Sequence, residues 1–430
     1  MDSVSRSPDD PEPTMSSIVS GQGPRRAALV FIFVTIALDM MAIGLIVPVL
    51  PKLVEDFMNE DTAAAARVFG AFGVVWALMQ FLSMPVMGAL SDRYGRRPVI
   101  LLSNLGLGLD YILMALAPNL AWLFVGRVIS GITAASISTG MAYVADVTPV
   151  EKRASAYGLT GIAFGLGFVL GPALGGVLGA VDPRLPFWAA AGLSLLNALY
   201  GLFVLPESLP PDRRRAFEWR RANAVGSLRL LRSKAGLTRL AAISFLGNLA
   251  HAVLPSVFVL YAGFRYGWQE RAVGLSLAII GVSSAIVQGA LVGPLVSRAG
   301  ERRTLLAGLA FGVAGFLVYA IAPTGAVFLA AIPLVALWGL SGPAAQGLMT
   351  RLVDPRQQGE LQGANGVVLG IAAMIGPGLF TQIFAAFIGD DARWHIPGAP
   401  FFLASLLLAF AWAIGLSVAR APQAHGSPGP

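Results

Sequence analysis

The sequence predicts an all-α membrane protein with twelve transmembrane helices arranged as two six-helix bundles. Three observations predict it. Of 430 residues, 56% are hydrophobic and 12% charged, with a mean hydropathy of +0.72. That is more apolar surface than a soluble domain of this length needs. Twelve apolar runs reach or approach the roughly 20 residues that a helix needs to cross a bilayer. Two separate landmarks recur at an offset of 205 residues, which divides the twelve runs six and six.

Residues 1–24 are polar and rich in Pro, Ser and Asp, and read as a disordered cytoplasmic tail with no signal-peptide pattern. Arg25 and Arg26 anchor the first run. The runs are 27–50, 67–90, 98–118, 121–145, 155–180, 186–205, 238–262, 272–295, 304–323, 326–350, 364–387 and 398–419. They are continuous, whereas barrel strands alternate over about 10 residues, so helices are expected. The division is an N-terminal bundle over 25–205, a basic, Pro-rich cytoplasmic linker over 206–237, a C-terminal bundle over 238–420, and a disordered tail over 421–430.

With the N-terminus inside, 23 of the 30 Lys and Arg residues fall on the inner side and 7 on the outer. This asymmetry puts both termini in the cytoplasm. It also explains the net charge of +7 without nucleic acid. Cysteine is absent, which excludes disulfides and thiolate sites.

The first landmark is GALSDRYGRRP, Gly88 to Pro98, a charged turn between two apolar runs. Its counterpart is GPLVSRAGERR, Gly293 to Arg303. The second landmark is Gly171-Pro172, matched by Gly376-Pro377. Gly88 allows close helix approach, and Gly95 permits a turn conformation closed to other residues. Asp92 can complement a helix N-terminus. Arg93, Arg96 and Arg97 can pair with Asp92, with Asp146 at the inner end of the fourth run, or with lipid phosphate. The cluster reads as a latch on the inner face, or as a topological anchor alone.

Charges within lipid are expensive and therefore point to function. Asp39 and Asp110 lie near mid-membrane in the first and third runs, and Arg127 lies in the outer half of the fourth. All three are in the first half, and the second-half runs hold no carboxylate. Burial and a nearby guanidinium act in opposite directions on a carboxylate, which suits it to carry a proton. A permanent ion pair that locks helices together is the alternative. In the fifth run, Gly167, Gly171, Pro172 and Gly175 belong to GLGFVLGPALGG, where small residues allow tight packing and Pro172 can kink the helix. This favours a hinge or seal between the halves. Trp76, Gln80, Asn248, Gln288 and Gln346 could line an apolar cavity with a few hydrogen-bonding groups. His251 could titrate or be structural. The sequence has no phosphate loop, metal-ligand cluster or nucleophile–base pair, so no cofactor, metal or enzymatic activity is expected.

At these motifs the chain resembles the major facilitator superfamily across nearly all of residues 25–420. GALSDRYGRRP matches its loop 2–3 signature, GRVISGIT its fourth-helix one and GLGFVLGPALGG the fifth-helix one of its antiporters. ALDMMAIGLIVPVLP, LMQFLSMPVMGALSDRYGRRPV, GLDYILMALAP, AYVADVTP and PAAQGLM resemble the tetracycline efflux branch of the twelve-span drug:proton antiporters. The resemblance implies the major facilitator fold, alternating access, and export of an amphipathic, tetracycline-like drug in exchange for protons across the bacterial inner membrane. It implies coupling or substrate-path roles for Asp39, Asp110 and Arg127, and a cytoplasmic gate at Asp92, Arg93, Arg96 and Arg97. Small molecule, protons and membrane lipid are the partners. Two departures stand out. Tetracycline pumps carry a His in the eighth span and an Asp in the ninth, where this chain has Ser284 and Gly312. The second-half loop has Ser297 and Glu301 where the first half has Asp92 and Arg96. A metabolite or sugar carrier, and a non-transporting membrane sensor, remain as alternatives.

Overall fold

The structure is a computed structural model that describes residues 23–134, 136–149, 152–214, 228–354 and 357–418. The expected tails lie almost wholly outside these residues, as does the linker segment 215–227. Twelve helices are long and apolar enough to cross a membrane. In order, spans 1 to 6 are Val30–Phe57, Thr62–Tyr94, Arg96–Leu116, Leu120–Val147, Ala156–Gly179 and Leu185–Val204. Spans 7 to 12 are Ala235–Tyr266, Glu270–Ala299, Glu301–Ile321, Gly325–Thr350, Gln358–Ile388 and Ala399–Leu416. No strand occurs among the described residues. Each expected run is present, and most helices extend beyond it. Lys52 is therefore inside span 1 instead of in a connecting segment, and Arg67, expected at the start of its run, lies a turn inside span 2. Glu270, Glu301 and Glu360 occupy the first turns of spans 8, 9 and 11, so the second-half spans do carry carboxylates, at their ends.

Local chemistry sets the helix starts. The Asp61 side chain accepts from the Ala64 N–H at 2.9 Å to begin span 2. Asn119 accepts from the N–H groups of Ala121 and Trp122 to begin span 4. Such caps satisfy donors that a helix leaves unpaired. Proline sets the interruptions, because it removes a backbone donor. Span 1 opens at Val47–Val49 around Pro48, span 7 opens at Ala252 three residues before Pro255, and span 10 opens at Ala331 before Pro333. Span 8 winds as a π-helical turn over Val287–Leu291, and span 10 as a 3-10 turn over Leu337–Leu340.

The charged turn at Gly95 and its counterpart at Gly300 mark one end of the bundle, termed here the charged end. The opposite end carries Asn119, Arg184 and Glu270 and is termed the far end. Spans 1 and 5 pack tightly, as do spans 3 and 6. The halves meet along span 5 against span 8 and span 2 against span 11. Those contacts lie toward the far end. A methyl group placed on Gly176 would meet Gly274 Cα at 2.9 Å, and one on Gly73 would meet Pro377 Cβ at 2.7 Å. At the charged end, Ser136–Val147 packs chiefly on first-half helices and Val292–Ala299 on second-half ones. The halves are pressed together at the far end and parted at the charged end.

Candidate functional site

The charged turn is built on two glycines with positive φ. Gly95 has φ 104° and Gly300 has φ 80°, as the 205-residue repeat requires. Arg96 lies at the centre of the first-half cluster. Its Nη1 is 2.7 Å from Asp92 Oδ1 and donates to Ser91 Oγ at 2.6 Å, while its Nε donates to Asp146 Oδ2 at 3.1 Å. Arg97 Nη2 donates to the Leu202 carbonyl at 2.6 Å, which ties span 3 to the end of span 6. Arg302, its counterpart, donates to the carbonyls of Leu416 and Val418 at the end of span 12, both at 2.8 Å. Arg93 lies over the Tyr94 ring, 5.1 Å from its centroid.

The group at the start of span 3 is Glu207, not Asp92. Glu207 accepts from the N–H groups of Arg96, Arg97 and Leu209 at 2.9, 3.3 and 3.0 Å. Asp92 is one turn back on span 2, where it faces Arg96. Glu207 lies 111 residues away from Arg96 along the chain, so no local pattern announces this cap. Gly88 mediates no close approach. A methyl group there would meet nothing within 4 Å, because the halves are parted at this end.

In the fifth span the structure separates two functions. Gly167, Gly171 and Gly175 face span 1, within the same half. A methyl group on Gly171 would lie 2.7 Å from Gly44 Cα, and one on Gly175 would strike the Leu45 carbonyl. Contact across the halves comes instead from Gly176 and the Pro172 carbonyl, which meet Gly274 and Glu270 of span 8.

Asp39 and Asp110 are both buried, at 4% and 1% exposure. Asn197 Nδ2 on span 6 donates to Asp39 Oδ1 at 3.0 Å and to the Thr35 carbonyl at 3.2 Å. Neither carboxylate oxygen of Asp110 has a hydrogen-bond partner. A methyl group on Gly126 would come 3.0 Å from Asp110 Oδ1, so this carboxylate lies against the span 4 backbone beside Arg127. Arg127 Nη2 donates to Ser130 Oγ at 3.4 Å. Asn197 is a residue that the sequence reading does not single out; a buried Asn within an apolar run is its signal.

Two cavities open near mid-membrane. One, of about 290 Å³, lies between the halves and is lined by residues that include Ile43, Val47, Trp76, Arg127 and Pro377. The other, of about 370 Å³, lies within the second half and is lined by residues that include Ser284, Gln288, Tyr319 and Trp338. Asn248 and His251 line both. Trp76, Asn248 and Gln288 thus line one or both cavities. Gln80 and Gln346 line neither; Gln346 Oε1 instead accepts from Asn365 Nδ2 at 2.7 Å. Asp39 and Asp110 are set behind the walls. Among the described residues, no group of His, Cys, Asp and Glu could hold a metal ion.

Residues 32–377 match the model of the Major Facilitator Superfamily. The class C tetracycline resistance protein of Escherichia coli is 39% identical over 387 residues, covering 88% of this chain and 95% of that protein. The class G tetracycline resistance protein of Vibrio anguillarum is 37% identical over 389 residues, covering 89% and 96%. Among solved structures, the human organic anion transporter MFSD10 aligns with a TM-score of 0.68 over 92% of this chain and 100% of that one, at 24% identity, a likeness that speaks to the fold alone. With a matched stretch of that length and relatives at that identity, the chain belongs to the Major Facilitator Superfamily.

Proposed function

We propose that the protein exports an amphipathic, tetracycline-like small molecule in exchange for protons, by alternating access. The bundles are 25–205 and 238–420, joined by the linker 206–237. The membrane is the bacterial inner membrane, with the charged end and both termini in the cytoplasm. The excess of Lys and Arg at that end supports this orientation.

One observation carries the reading. Asp39 is a buried carboxylate on span 1, held by Asn197, and the next turns of the same helix place Ile43, Ile46 and Val47 in the wall of the cavity between the halves. A proton gained or lost at Asp39 acts on the helix that touches the ligand, and such a carboxylate in lipid is expensive enough to be functional. The relatives named as tetracycline resistance proteins supply the substrate class. Asp110 and Arg127 complete the proton and substrate path. Asp92, Arg93, Arg96, Arg97 and Asp146 form the cytoplasmic gate around Gly95. In this conformation the gate's partners lie within the first half.

The test is tetracycline uptake into inverted vesicles with an imposed proton gradient and with the gradient collapsed. Gradient-dependent uptake that disappears in Asp39→Asn, with the protein still in the membrane, is the expected result. Undiminished uptake by that variant sinks the coupling assignment.

A further inference from the structure

The cavity within the second half is walled by helices that leave α geometry at the residues facing it. Span 7 breaks immediately after His251, span 8 makes its π turn around Gln288, and span 10 makes its 3-10 turn through Trp338 and Gly339. Irregular backbone at membrane depth persists where it is covered by protein or lines a cavity. Broken helices that meet near mid-membrane commonly hold ligands in transporters. Span 1 is also interrupted, at Val47–Val49, and Val47 lines the adjoining cavity that shares His251.

Two of the polar groups facing this chamber lack a partner. The Trp338 Nε1–H and the Tyr319 hydroxyl are buried and have no hydrogen-bond partner. His251 faces both cavities, its ring centroid 5.6 Å from that of Trp338. Asn248 spends its Nδ2 on the Ser244 carbonyl at 2.8 Å. Spans 8 and 10 face His251 with Ser284, Gln288, Trp338 and Ser341, none of them acidic or basic. Span 9 contributes the Tyr319 hydroxyl, and span 4 contributes Arg127 from the adjoining cavity. No carboxylate lines either cavity. Unpaired buried donors are costly, and the group that relieves them must be an acceptor.

We propose that this chamber binds the acidic oxygen edge of a flat aromatic ligand. Trp338 Nε1 and the Tyr319 hydroxyl donate to that edge, and the protonated His251 pairs with it beside the Trp338 ring. The proposal rests on the export reading for its substrate class. The charge-assisted bond from His251 exists only while the imidazole holds its proton, so affinity falls as pH rises.

The experiment is equilibrium binding to the full chain in nanodiscs, with 1-hydroxy-2-naphthoate and tetracycline as separate probes. The naphthoate remains anionic throughout, so the pH response comes from the protein, and comparison with the His251 variants separates the His251 share from that of Asp39 and Asp110. Its affinity is expected to fall about ten-fold between about pH 5 and pH 7. His251→Gln is expected to bind about ten-fold more weakly at the lower pH and to lose the pH response. His251→Lys, which keeps a positive charge across that range, retains the affinity and loses the response. Trp338→Phe, which keeps a ring without the N–H, weakens binding about five-fold. Absence of naphthoate binding to the wild-type protein overturns the proposal, and so does equal naphthoate binding by His251→Gln at both pH values. If the naphthoate binds through His251 and tetracycline does not bind, the site stands and the drug reading falls. If tetracycline binds and neither probe responds to His251, the drug reading stands and this site falls.

Discussion

Arg96 Nε stands 3.1 Å from Asp146 Oδ2 at the charged end of the first half. At the same offset of 205 residues, Glu301 Oε1 stands 2.5 Å from Arg351 Nη2. The repeat has kept the pair and exchanged the charges. The exchange extends to a third position: Asp92, which pairs with Arg96, is replaced by Ser297 beside Glu301. Each half thus carries one acid–base bridge from the start of its third helix to the end of its fourth.

A charge exchange in the first half tests this equivalence. Arg96→Glu faces both Asp92 and Asp146 with like charge and is expected to cost about 2 kcal/mol, between the values for exposed and buried pairs. Adding Asp146→Arg recovers part of the loss, because Asp92 still repels the new carboxylate. Adding Asp92→Ser as well reproduces the second-half arrangement and recovers most of it. Thermal unfolding of the four proteins in one detergent checks the order. A triple variant no more stable than the single one would show that the two bridges are not equivalent.

The turn glycines separate backbone strain from contact. Both adopt backbone angles that are nearly exclusive to glycine, with ψ 160° at Gly95 and 157° at Gly300. A methyl group on Gly300 meets nothing within 4 Å, so Gly300→Ala pays only the conformational cost, about 1–3 kcal/mol. A methyl group on Gly95 would lie 2.7 Å from Glu207 Cδ and displace the carboxylate that caps span 3. Gly95→Ala is therefore expected to be the more destabilising by about 1 kcal/mol or more. Equal losses would mean that Glu207 moves aside freely and its cap is worth little.

The far-end contact between the halves can be locked. A Cβ built on Gly389 lies 4.0 Å from Ala63 Cβ, within the spacing of a disulfide. The native chain has no cysteine, so Ala63→Cys with Gly389→Cys introduces the only thiols. Oxidation is expected to join the halves at the far end and to reduce transport at least ten-fold, with recovery on reduction. Full transport by the oxidised protein would mean that spans 2 and 11 do not separate there during the cycle.

The helices and the repeat were legible because both are one-dimensional: apolar length sets the span, and a fixed offset pairs Gly95 with Gly300. The charges at Asp39, Asp110 and Arg127 were legible because lipid makes any charge conspicuous. The partners were not. Asn197, which holds Asp39, is 158 residues away, and Glu207, which caps span 3, is 111 residues from Arg96. Only the fold brings them together. Which glycines face span 1 and which face the other half is equally hidden, since Gly175 and Gly176 are neighbours in sequence and turn to different helices. Polarity within a span does not reveal the direction it faces, so Gln288 lines one of the two cavities described above and Gln80 and Gln346 line neither.

Gly312 stands where the resemblance to tetracycline pumps leads one to expect an acid, and the packing around it leaves no room for one. A side chain begun there would run into the Trp338 ring, with its first carbon 2.8 Å from Cδ1, and into Leu408 at 2.6 Å. Trp338 thus fills the room into which an acid at this position would project. Gly312→Asp alone is expected to destabilise the protein by about 2–4 kcal/mol, through overpacking and a buried carboxylate without a donor. Pairing it with Trp338→Leu clears the ring and should restore much of the folded yield, measured as monodisperse protein in detergent. The double variant also removes the aromatic wall beside His251, so naphthoate binding should weaken even where folding recovers. Recovery of folding together with unchanged binding would detach Trp338 from the ligand and leave it as packing for Gly312.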